Sequence, residues 1–296
     1  MEWFIYAILA PILWAAGNVI DKFLLEKHIK NPISYQILLS LFDIISLMTI
    51  LIIFPISINI YGFILGATVG IISVIAVTFY NRSLMEEEAS RIVPMIYLDS
   101  IFVAILAYIF LGEILNFQKY LGIILIVMGG ILISFKKIKK WHFSSTIKFI
   151  LVTALLLGTT GIITKYALSF IDYSSLLASQ LIGYIIFGSL FLLSKNIRGN
   201  FLNNIKKFSK KVFLLMLINS IIALMASLFF LSATSISAVS LVYAIISIQP
   251  FFIFLYMLII TKIAPNIIKE KIDKSTLLLK ITAIFLIFLG TFFIGS

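Results

Sequence analysis

Cysteine is absent from the 296-residue sequence, and histidine occurs only twice, as His28 and His142. Without cysteine the chain can form no disulfide, thiolate metal site, iron–sulfur cluster or cysteine nucleophile. Both histidines lie near lysines in predicted loops, so a histidine metal centre is not expected. The sequence also lacks the glycine-rich Walker motif that would bind the phosphates of ATP. We therefore predict no metal, no cofactor, no catalytic residues and no direct use of ATP.

Charged residues are scarce: they make up 12% of the chain, whereas hydrophobic residues make up 62% and the mean hydropathy is +1.17. A soluble domain is about half apolar and about a quarter charged. Because so few charges cannot cover so much apolar surface in water, the excess must face lipid. The first apolar run begins at Trp3 without a basic leader or a cleavage site, which favours a retained span over a signal peptide. The composition predicts a multi-pass protein of the cell (plasma) membrane.

Ten apolar segments are long enough to cross the bilayer, since a helix needs about 20 apolar residues to span about 30 Å of hydrocarbon. They do not show the alternation that marks the strands of a membrane β-barrel. We predict an all-α membrane protein with ten transmembrane helices. The predicted spans are residues 3–20, 33–54, 61–81, 92–111, 118–135, 147–167, 173–194, 212–232, 236–260 and 276–294.

Basic residues are distributed unequally between the two sets of loops. All but two of the 23 lysines and arginines lie in or beside the loops that follow odd-numbered spans, and the exceptions are Lys119 and Lys165. Basic loops stay in the cytoplasm, so this asymmetry predicts that both termini are external. It also accounts for the net charge of +11 without a nucleic-acid partner. We expect the lysine-rich face to attract anionic lipid head groups.

The two halves of the sequence match weakly but in the same order, which predicts a repeat formed by residues 1–140 and 141–296. Each half holds five predicted spans, an odd number, so the second half must enter the membrane inverted. Inverted repeats are typical of secondary transporters, which bind substrate near the midplane between the halves. The matching positions are residues 14–23 with 157–166 at a shift of 143, Phe79, Tyr80, Ser90 and Asp99 with Phe229, Phe230, Ser240 and Gln249 at a shift of 150, and Gly122 and Gly129 with Ala283 and Gly290 at a shift of 161.

Several short motifs carry a family resemblance. They are LWAAGN at residues 13–18, FLGE at 110–113, QKYLG at 118–122, the glycine pair at 129–130 and the Gln249-Pro250 pair. Together they resemble the drug/metabolite transporter superfamily, specifically its EamA-like ten-helix branch. The resemblance extends over nearly the whole chain, with Ser100 standing where the family has a proline in the first half. Many relatives place both termini in the cytoplasm, opposite to the orientation that the lysines predict here.

This resemblance implies an alternating-access carrier. Its central cavity would be lined by helices one, three, four, six, eight and nine, and exporters of amino acids and other small metabolites are common in the family.

Two acids, Asp43 and Asp99, lie well inside predicted spans. A charge at the bilayer centre costs about 2.5–3.5 kcal/mol on insertion scales, so intramembrane acids are functional candidates by default. Asp99 has Gln249 as its repeat partner, and an interhelical hydrogen bond is the alternative to a functional role. Asp43 lies on a polar stripe with Gln36 and Ser40, for which an interhelical polar contact is favoured. Both acids are candidates for proton coupling.

Amide, hydroxyl and aromatic side chains complete the predicted cavity, and Asn219 is one of them. Lys165 could bind an anionic substrate group or a carboxylate such as Asp99, or its stem could extend to the external head groups, which is favoured. Each of the uncharged residues could instead serve only helix packing. The predicted substrate-binding residues are Asn18, Tyr80, Asn81, Tyr97, Asp99, Thr160, Lys165, Tyr243 and Gln249.

These observations favour a secondary transporter that moves a small metabolite, such as an amino acid or an amphiphile, by alternating access, with proton coupling left open. A membrane-embedded enzyme is disfavoured because no histidine is buried and the two acids lie on different helices. A channel is disfavoured because no polar ring repeats around an axis. The expected partners are a small-molecule substrate and the lipid bilayer, and the chain could act as a monomer or a homodimer.

Overall fold

The computed structural model describes residues 2–29, 31–86, 96–134, 145–205, 208–263 and 274–295, and no β-strand occurs within these ranges. A five-residue π-helical turn, Ala107–Leu111, continues α4, and a 3-10 turn, Phe191–Leu193, follows α7. The α-helices are α1 Glu2–Lys27, α2 Pro32–Ile53, α3 Ile60–Glu86, α4 Asp99–Leu106, α5 Phe117–Ser134, α6 Ser145–Ala167, α7 Tyr173–Leu190, α8 Lys195–Ile205, α9 Lys210–Ile236, α10 Val239–Ile246, α11 Gln249–Ile263 and α12 Lys274–Gly295.

Seven helical segments in the described part of the chain are long and apolar enough to cross a membrane, which makes this a multi-pass membrane protein. Three further apolar segments are shorter. Each of the ten predicted spans overlaps one of these ten segments, and the number of crossings stays a prediction. The seven are Glu2–Leu25, Pro32–Ile53, Ile60–Tyr80, Lys148–Ala167, Tyr173–Leu193, Lys210–Ile236 and Val239–Ile263, and the three are Asp99–Leu111, Phe117–Leu132 and Leu279–Gly295.

Local sequence signals fix several helix ends. The Asn31 side chain accepts hydrogen bonds from the backbone N–H groups of Ile33, at 2.9 Å, and Ser34, at 3.1 Å, and so caps the start of α2. Pro32 takes the first helical position, where a missing N–H leaves no hydrogen bond unmade. At the other end of α4, Gly112 has a φ of 64° and ends the π-helical turn in the left-handed conformation that glycine tolerates.

Glycines allow two pairs of helices to approach closely. A Cβ atom on Gly70 of α3 would lie 2.2 Å from the Gln180 carbonyl oxygen of α7, and one on Gly183 of α7 would lie 2.2 Å from the Ala67 carbonyl oxygen. α5 and α12 cross in the same way, because a Cβ on Gly122 would lie 2.8 Å from a backbone oxygen of α12. Small residues at such crossings let dispersion forces act between backbones in lipid.

The most extensive helix pairs are α5 with α12, α1 with α9, and α3 with both α6 and α7. Stacked aromatic rings join two of these pairs. Tyr6 of α1 stacks on Phe229 of α9 with ring centroids 6.0 Å apart, and Phe79 of α3 stacks on Phe149 of α6 with centroids 5.9 Å apart.

The structure adds detail to two of the predicted spans. The first, predicted over residues 3–20 with an extension to Leu25 left open, lies in the candidate span Glu2–Leu25 of α1, so Asp21 is a third acid inside a candidate span. The ninth, predicted over residues 236–260, overlaps the candidate span Val239–Ile263, in which a turn at Ser247 and Ile248 separates α10 from α11. The predicted loop after the seventh span also contains α8, a short polar helix in which Phe201 is buried.

Candidate functional site

Turns precede both α4 and α11, at positions that the predicted repeat relates to each other. Ile96 is helical, Tyr97 and Leu98 form a turn, and α4 then begins at Asp99. Ser247 and Ile248 form a turn in the same way between α10 and α11, which begins at Gln249. A shift of 150 residues superposes one interruption on the other. Interrupted helices of this kind expose backbone polar groups and frame the binding sites of transporters.

Buried serine side chains connect the two interrupted helices. The Ser100 hydroxyl lies 2.6 Å from the Ser247 hydroxyl and 2.9 Å from the backbone carbonyl oxygen of Tyr243. The same hydroxyl lies 3.2 Å from Oδ1 of Asp99. Since Ser100 and Ser247 are each 1% exposed, this contact is closed to water. It fixes the start of α4, and with it Asp99, against α10.

Two tyrosines, Tyr97 and Tyr243, lie within electrostatic range of Asp99. Tyr97 lies within electrostatic range of both Asp99 and Tyr80 of α3. Tyr243 of α10 lies within range of Asp99 and of Tyr184 on α7. The buried side chain of Thr160 on α6 lies beside Tyr243. We call this set the central polar cluster: Tyr80, Tyr97, Asp99, Thr160, Tyr184 and Tyr243.

Gly161 makes room for the Tyr243 ring. A Cβ atom at Gly161 would lie 2.8 Å from that ring, closer than real side chains approach. The Tyr243 hydroxyl lies 3.4 Å from the Leu157 carbonyl oxygen, and its ring makes an edge contact with Phe230, with centroids 5.6 Å apart. The Tyr243 side chain therefore packs against Gly161, Leu157 and Phe230.

The structure brings together five of the nine predicted substrate-binding residues, namely Tyr80, Tyr97, Asp99, Thr160 and Tyr243. Sequence reasoning missed Tyr184 as a site residue, although it lies one turn after the polar Gln180 on α7. Gln249 opens α11 just after the interruption. Asn18 is exposed, and the Asn81 side chain falls outside the described residues.

Lys165 contacts the end of α9 and not Asp99. Its ammonium group donates hydrogen bonds to the carbonyl oxygens of Thr234 and Ser237, each at 2.7 Å. These are carbonyl groups of the last turn of α9, where a positive charge also stabilises the helix dipole. Glu113 lies within electrostatic range of Lys165. The structure therefore pairs Lys165 with α9 instead of Asp99, and its reach to the external head groups stays a prediction.

Glu113, from the FLGE motif, caps the start of α10. Its Oε1 accepts a hydrogen bond from the Val239 N–H at 2.8 Å, and its Oε2 accepts one from the Ser240 hydroxyl at 2.6 Å. Together with Lys165 it holds the turn between α9 and α10, which positions Tyr243 one helical turn later. The Glu113 of this motif therefore has a structural role in the present chain.

Asp43 reaches the edge of the central polar cluster through Tyr184, which lies within electrostatic range of it. The predicted polar stripe does contact α7, because the Ser40 hydroxyl lies 3.4 Å from the Tyr184 carbonyl oxygen. The same hydroxyl lies 3.1 Å from the Gln36 carbonyl oxygen within α2. The stripe therefore joins α2 to α7, as an interhelical polar contact would, and also directs an acid towards the cluster.

Asp21 lies on the other side of the cluster, between α1, α2 and α9. Its Oδ1 accepts a hydrogen bond from the Tyr35 hydroxyl and another from Nδ2 of Asn219 at 2.5 Å. Tyr80 lies within electrostatic range of Asp21, which connects this group to the central polar cluster. Sequence reasoning counted Asn219 in the lining but missed Asp21. The charged pair Asp21-Lys22 ends the run of apolar residues from which the span was predicted, although the helix itself continues.

Asp172, an acid outside the candidate spans, accepts several hydrogen bonds from nearby residues. Asp172 caps α7 and accepts hydrogen bonds from Ser57 at 2.6 Å, from Ser174 at 2.5 Å, and from both the backbone and the hydroxyl of Ser175 at 2.9 and 2.8 Å. Burial raises the pKa of Asp172, but these hydrogen bonds together lower it more, so its pKa lies below the usual range. Asp172 is therefore a structural group.

A family match covers the first part of the chain. Residues 1–135 match the EamA-like transporter family, which belongs to the drug/metabolite transporter superfamily. Residues 1–135 are EamA-like. This EamA-like half contains the motifs at residues 13–18 and 110–113, so the resemblance stated from those motifs is confirmed here. Members of this family are generally transporters.

Solved structures share the fold of the whole chain, and 28 of their chains match it. One, described only as a crystal structure of a protein, superposes with a TM-score of 0.72. The alignment covers 99% of this chain and 96% of the other, at 10% sequence identity, so it shows the fold alone. No curated protein matches the chain.

Proposed function

We propose that this EamA-like protein is a secondary transporter that moves a small metabolite, such as an amino acid or an amphiphile, across the plasma membrane by alternating access. The observation that carries the proposal is the pair of interrupted helices that meet at Asp99. In lipid, irregular backbone and an acid are tolerated only where they line a cavity or a protein interior. A site at this place serves a carrier, because both halves of the chain contribute to it.

A two-fold relation between the halves is supported by reciprocal aromatic contacts. The repeat shifts relate Tyr6 to Phe149 and Phe79 to Phe229. The stacked pairs are Tyr6 with Phe229, at an interplanar angle of 18°, and Phe79 with Phe149, at 15°. Exchanging the two halves therefore turns one stacked pair into the other, as a two-fold axis requires.

The crossing of α5 with α12 supports the same relation. A Cβ on Gly122 would meet the Gly290 oxygen, and a Cβ on Gly129 would meet the Ala283 oxygen, in both cases at 2.8 Å. The repeat relates Gly122 to Ala283 and Gly129 to Gly290. Each residue thus contacts the repeat partner of the other. Five crossings in each half, ten in all, would place such an axis in the membrane plane, with residues 1–140 and 141–296 inverted.

The central polar cluster is the proposed substrate site. The first half contributes Tyr80, Tyr97 and Asp99, and the second contributes Thr160, Tyr184 and Tyr243. Hydroxyl groups, aromatic rings and one carboxylate suit a zwitterion or a small amphiphile with a positive charge. Movement of one half against the other would open the cluster to each side in turn. Gln249 and Asn18 would join the lining in another conformation.

The free energy for transport would come from a gradient of the substrate or of protons, through Asp99 or Asp43. Anionic head groups would bind the lysine-rich loops, the termini would be external, and the chain would act as a monomer or a homodimer without catalytic activity. Lys165 would act in this scheme by holding the end of α9.

The experiment begins with a thermal-unfolding screen of the purified protein against small metabolites, since a ligand that binds only the folded state raises stability. Ligands that stabilise the protein are then tested for counterflow in proteoliposomes. We expect saturable counterflow in the wild type, and Asp99→Asn should remove any pH dependence. Single-channel currents carried by a stabilising ligand would contradict the carrier. So would the finding that no stabilising ligand exchanges across the bilayer.

A further inference from the structure

Only one of the two polar atoms of the Asn219 side-chain amide forms a hydrogen bond in the described part of the chain. Asn219 is 4% exposed, and its Nδ2 donates a hydrogen bond to Oδ1 of Asp21 at 2.5 Å. Its Oδ1 is buried and, in the described part of the chain, has no hydrogen-bond partner. A buried acceptor without a donor is costly, so native proteins keep one only for a reason such as a bound ion or ligand.

Gly17 packs against this oxygen. It lies one helical turn before Asp21 on the same face of α1, and a Cβ atom there would lie 3.0 Å from Asn219 Oδ1. Any larger residue would crowd the amide oxygen. Glycine at this position therefore keeps a side chain away from Asn219 Oδ1.

Asp21 has no basic partner among the described residues. Its carboxylate contacts the Tyr35 hydroxyl and the Asn219 amide, and Tyr80 lies within electrostatic range. Lys22, the next residue, is exposed on another side of α1. An acid inside a span and an acceptor-only amide oxygen beside it both favour a positively charged ligand.

We propose that Asp21, Tyr35 and Asn219 form a binding site for a compact monovalent cation, either Na⁺ or the primary ammonium group of a transported molecule. Carboxylate, carbonyl and hydroxyl oxygens suit hard cations, and an ammonium group supplies the hydrogen-bond donors that Asn219 Oδ1 lacks. A proton on Asp21 would leave that oxygen unsatisfied, because Nδ2 and not Oδ1 faces the carboxylate.

The site is connected to the central polar cluster. Asp21 lies within electrostatic range of Tyr80, Tyr80 of Tyr97, and Tyr97 of Asp99. A charge bound at Asp21 would therefore act electrostatically on the proposed substrate site through these tyrosines. In this respect the inference rests on the proposed function and deepens it, since it assigns the carrier a cation.

The test measures binding without transport. Purified full-length protein in detergent, at neutral pH in N-methylglucamine chloride, is titrated with ²²Na⁺ and separately with ¹⁴C-methylammonium. We expect saturable binding of one of them at one site per chain. Asp21→Asn should weaken it by about ten- to a hundredfold, as the loss of an interaction with a charged group implies.

Further variants separate the site from general damage. Gly17→Ala should weaken binding because its methyl group meets Asn219 Oδ1, whereas Gly199→Ala, where nothing lies within 4 Å, should bind like the wild type. Asn219→Leu should weaken binding, and Asp172→Asn, which removes a carboxylate outside the spans, should not. Thermal unfolding of each variant checks that it is folded.

Sodium binding alone would assign a coupling ion, and methylammonium binding alone would assign a substrate group; each supports the site. Binding of neither probe to folded wild-type protein would overturn the inference, as would binding that Asp21→Asn leaves unchanged. A failure of counterflow with intact cation binding would count against the transport function only. Intact counterflow without cation binding would count against this site only.

Discussion

Asp172 and Asp99 are the same residue type at the start of a helix, yet their surroundings differ completely. Asp172 caps α7 and accepts hydrogen bonds from Ser57, Ser174 and Ser175. Asp99 opens α4 with Ser100 as its hydrogen-bond partner, and Tyr97 and Tyr243 lie within electrostatic range of it.

The difference separates a structural acid from a functional one. The hydrogen bonds that Asp172 accepts stabilise the fold and leave little capacity for a ligand. Asp99 keeps most of its capacity, in a region where an unsatisfied charge is costly. Asp21 is intermediate between Asp172 and Asp99 in the number of hydrogen bonds that it accepts, since two donors share one of its carboxylate oxygens. The number of internal donors around a carboxylate therefore indicates which acids serve binding in this chain.

Asp99→Leu should give the largest effect and would test the comparison directly. We expect transport to fall by more than about tenfold, while the free energy of unfolding rises by about 1–3 kcal/mol because a poorly compensated charge leaves the membrane interior. Counterflow and unfolding in detergent measure the two quantities. A loss of stability would show that Asp99, like Asp172, holds the fold together.

Gly161→Ala should disturb the Asp99 region without changing its charge. The new methyl group would lie 2.8 Å from the Tyr243 ring, so the ring must shift from its present position in the cluster. We expect a loss of about 1–3 kcal/mol in unfolding free energy, as overpacking implies, together with slower transport. Gly199→Ala is the matched control, and equal behaviour of the two variants would contradict the packing of Tyr243.

Asp172→Ala should act on stability alone. The loss of a helix cap costs about 0.5–1 kcal/mol at an exposed site, so thermal unfolding should occur at a lower temperature. Transport per folded molecule should match that of the wild type. If transport falls while stability is unchanged, Asp172 belongs to the functional acids and the comparison fails.

The pH dependence of this cap should be the smallest effect. Because the pKa of Asp172 is lower in the folded protein, its contribution is fully present above the unfolded pKa of about 3.9 and is lost as the pH falls towards the folded pKa. The difference in stability between the wild type and Asp172→Ala should therefore be constant at neutral pH and shrink below about pH 4. A difference that grows on acidification would reverse the assigned sign.

Part of the site could be predicted from the sequence because hydropathy and the repeat locate unusual residues. Asp99 is an acid inside an apolar segment, and its position in the repeat pairs it with Gln249. Tyr80, Tyr97, Thr160 and Tyr243 were expected near it, and the structure brings them together.

Other features depend on geometry that the sequence does not display. The interruptions before Asp99 and Gln249 lie inside long segments whose mean hydropathy predicts a continuous span. Lys165 was assigned by its place in the chain, but only the packing of α6 against the end of α9 brings it to the Thr234 carbonyl. Asp21 was missed because a charged pair ends an apolar window without ending the helix.

The sequence by itself determined that this is a membrane protein built of apolar helices and that residues 1–135 are EamA-like. Hydrophobicity and periodicity are properties of neighbouring residues, so they can be read directly from the sequence. Only the tertiary structure decided which acids are capped and which are left open, because hydrogen bonds such as those to Asp172 and Asp21 join residues distant along the chain. That choice depends on which helix faces meet.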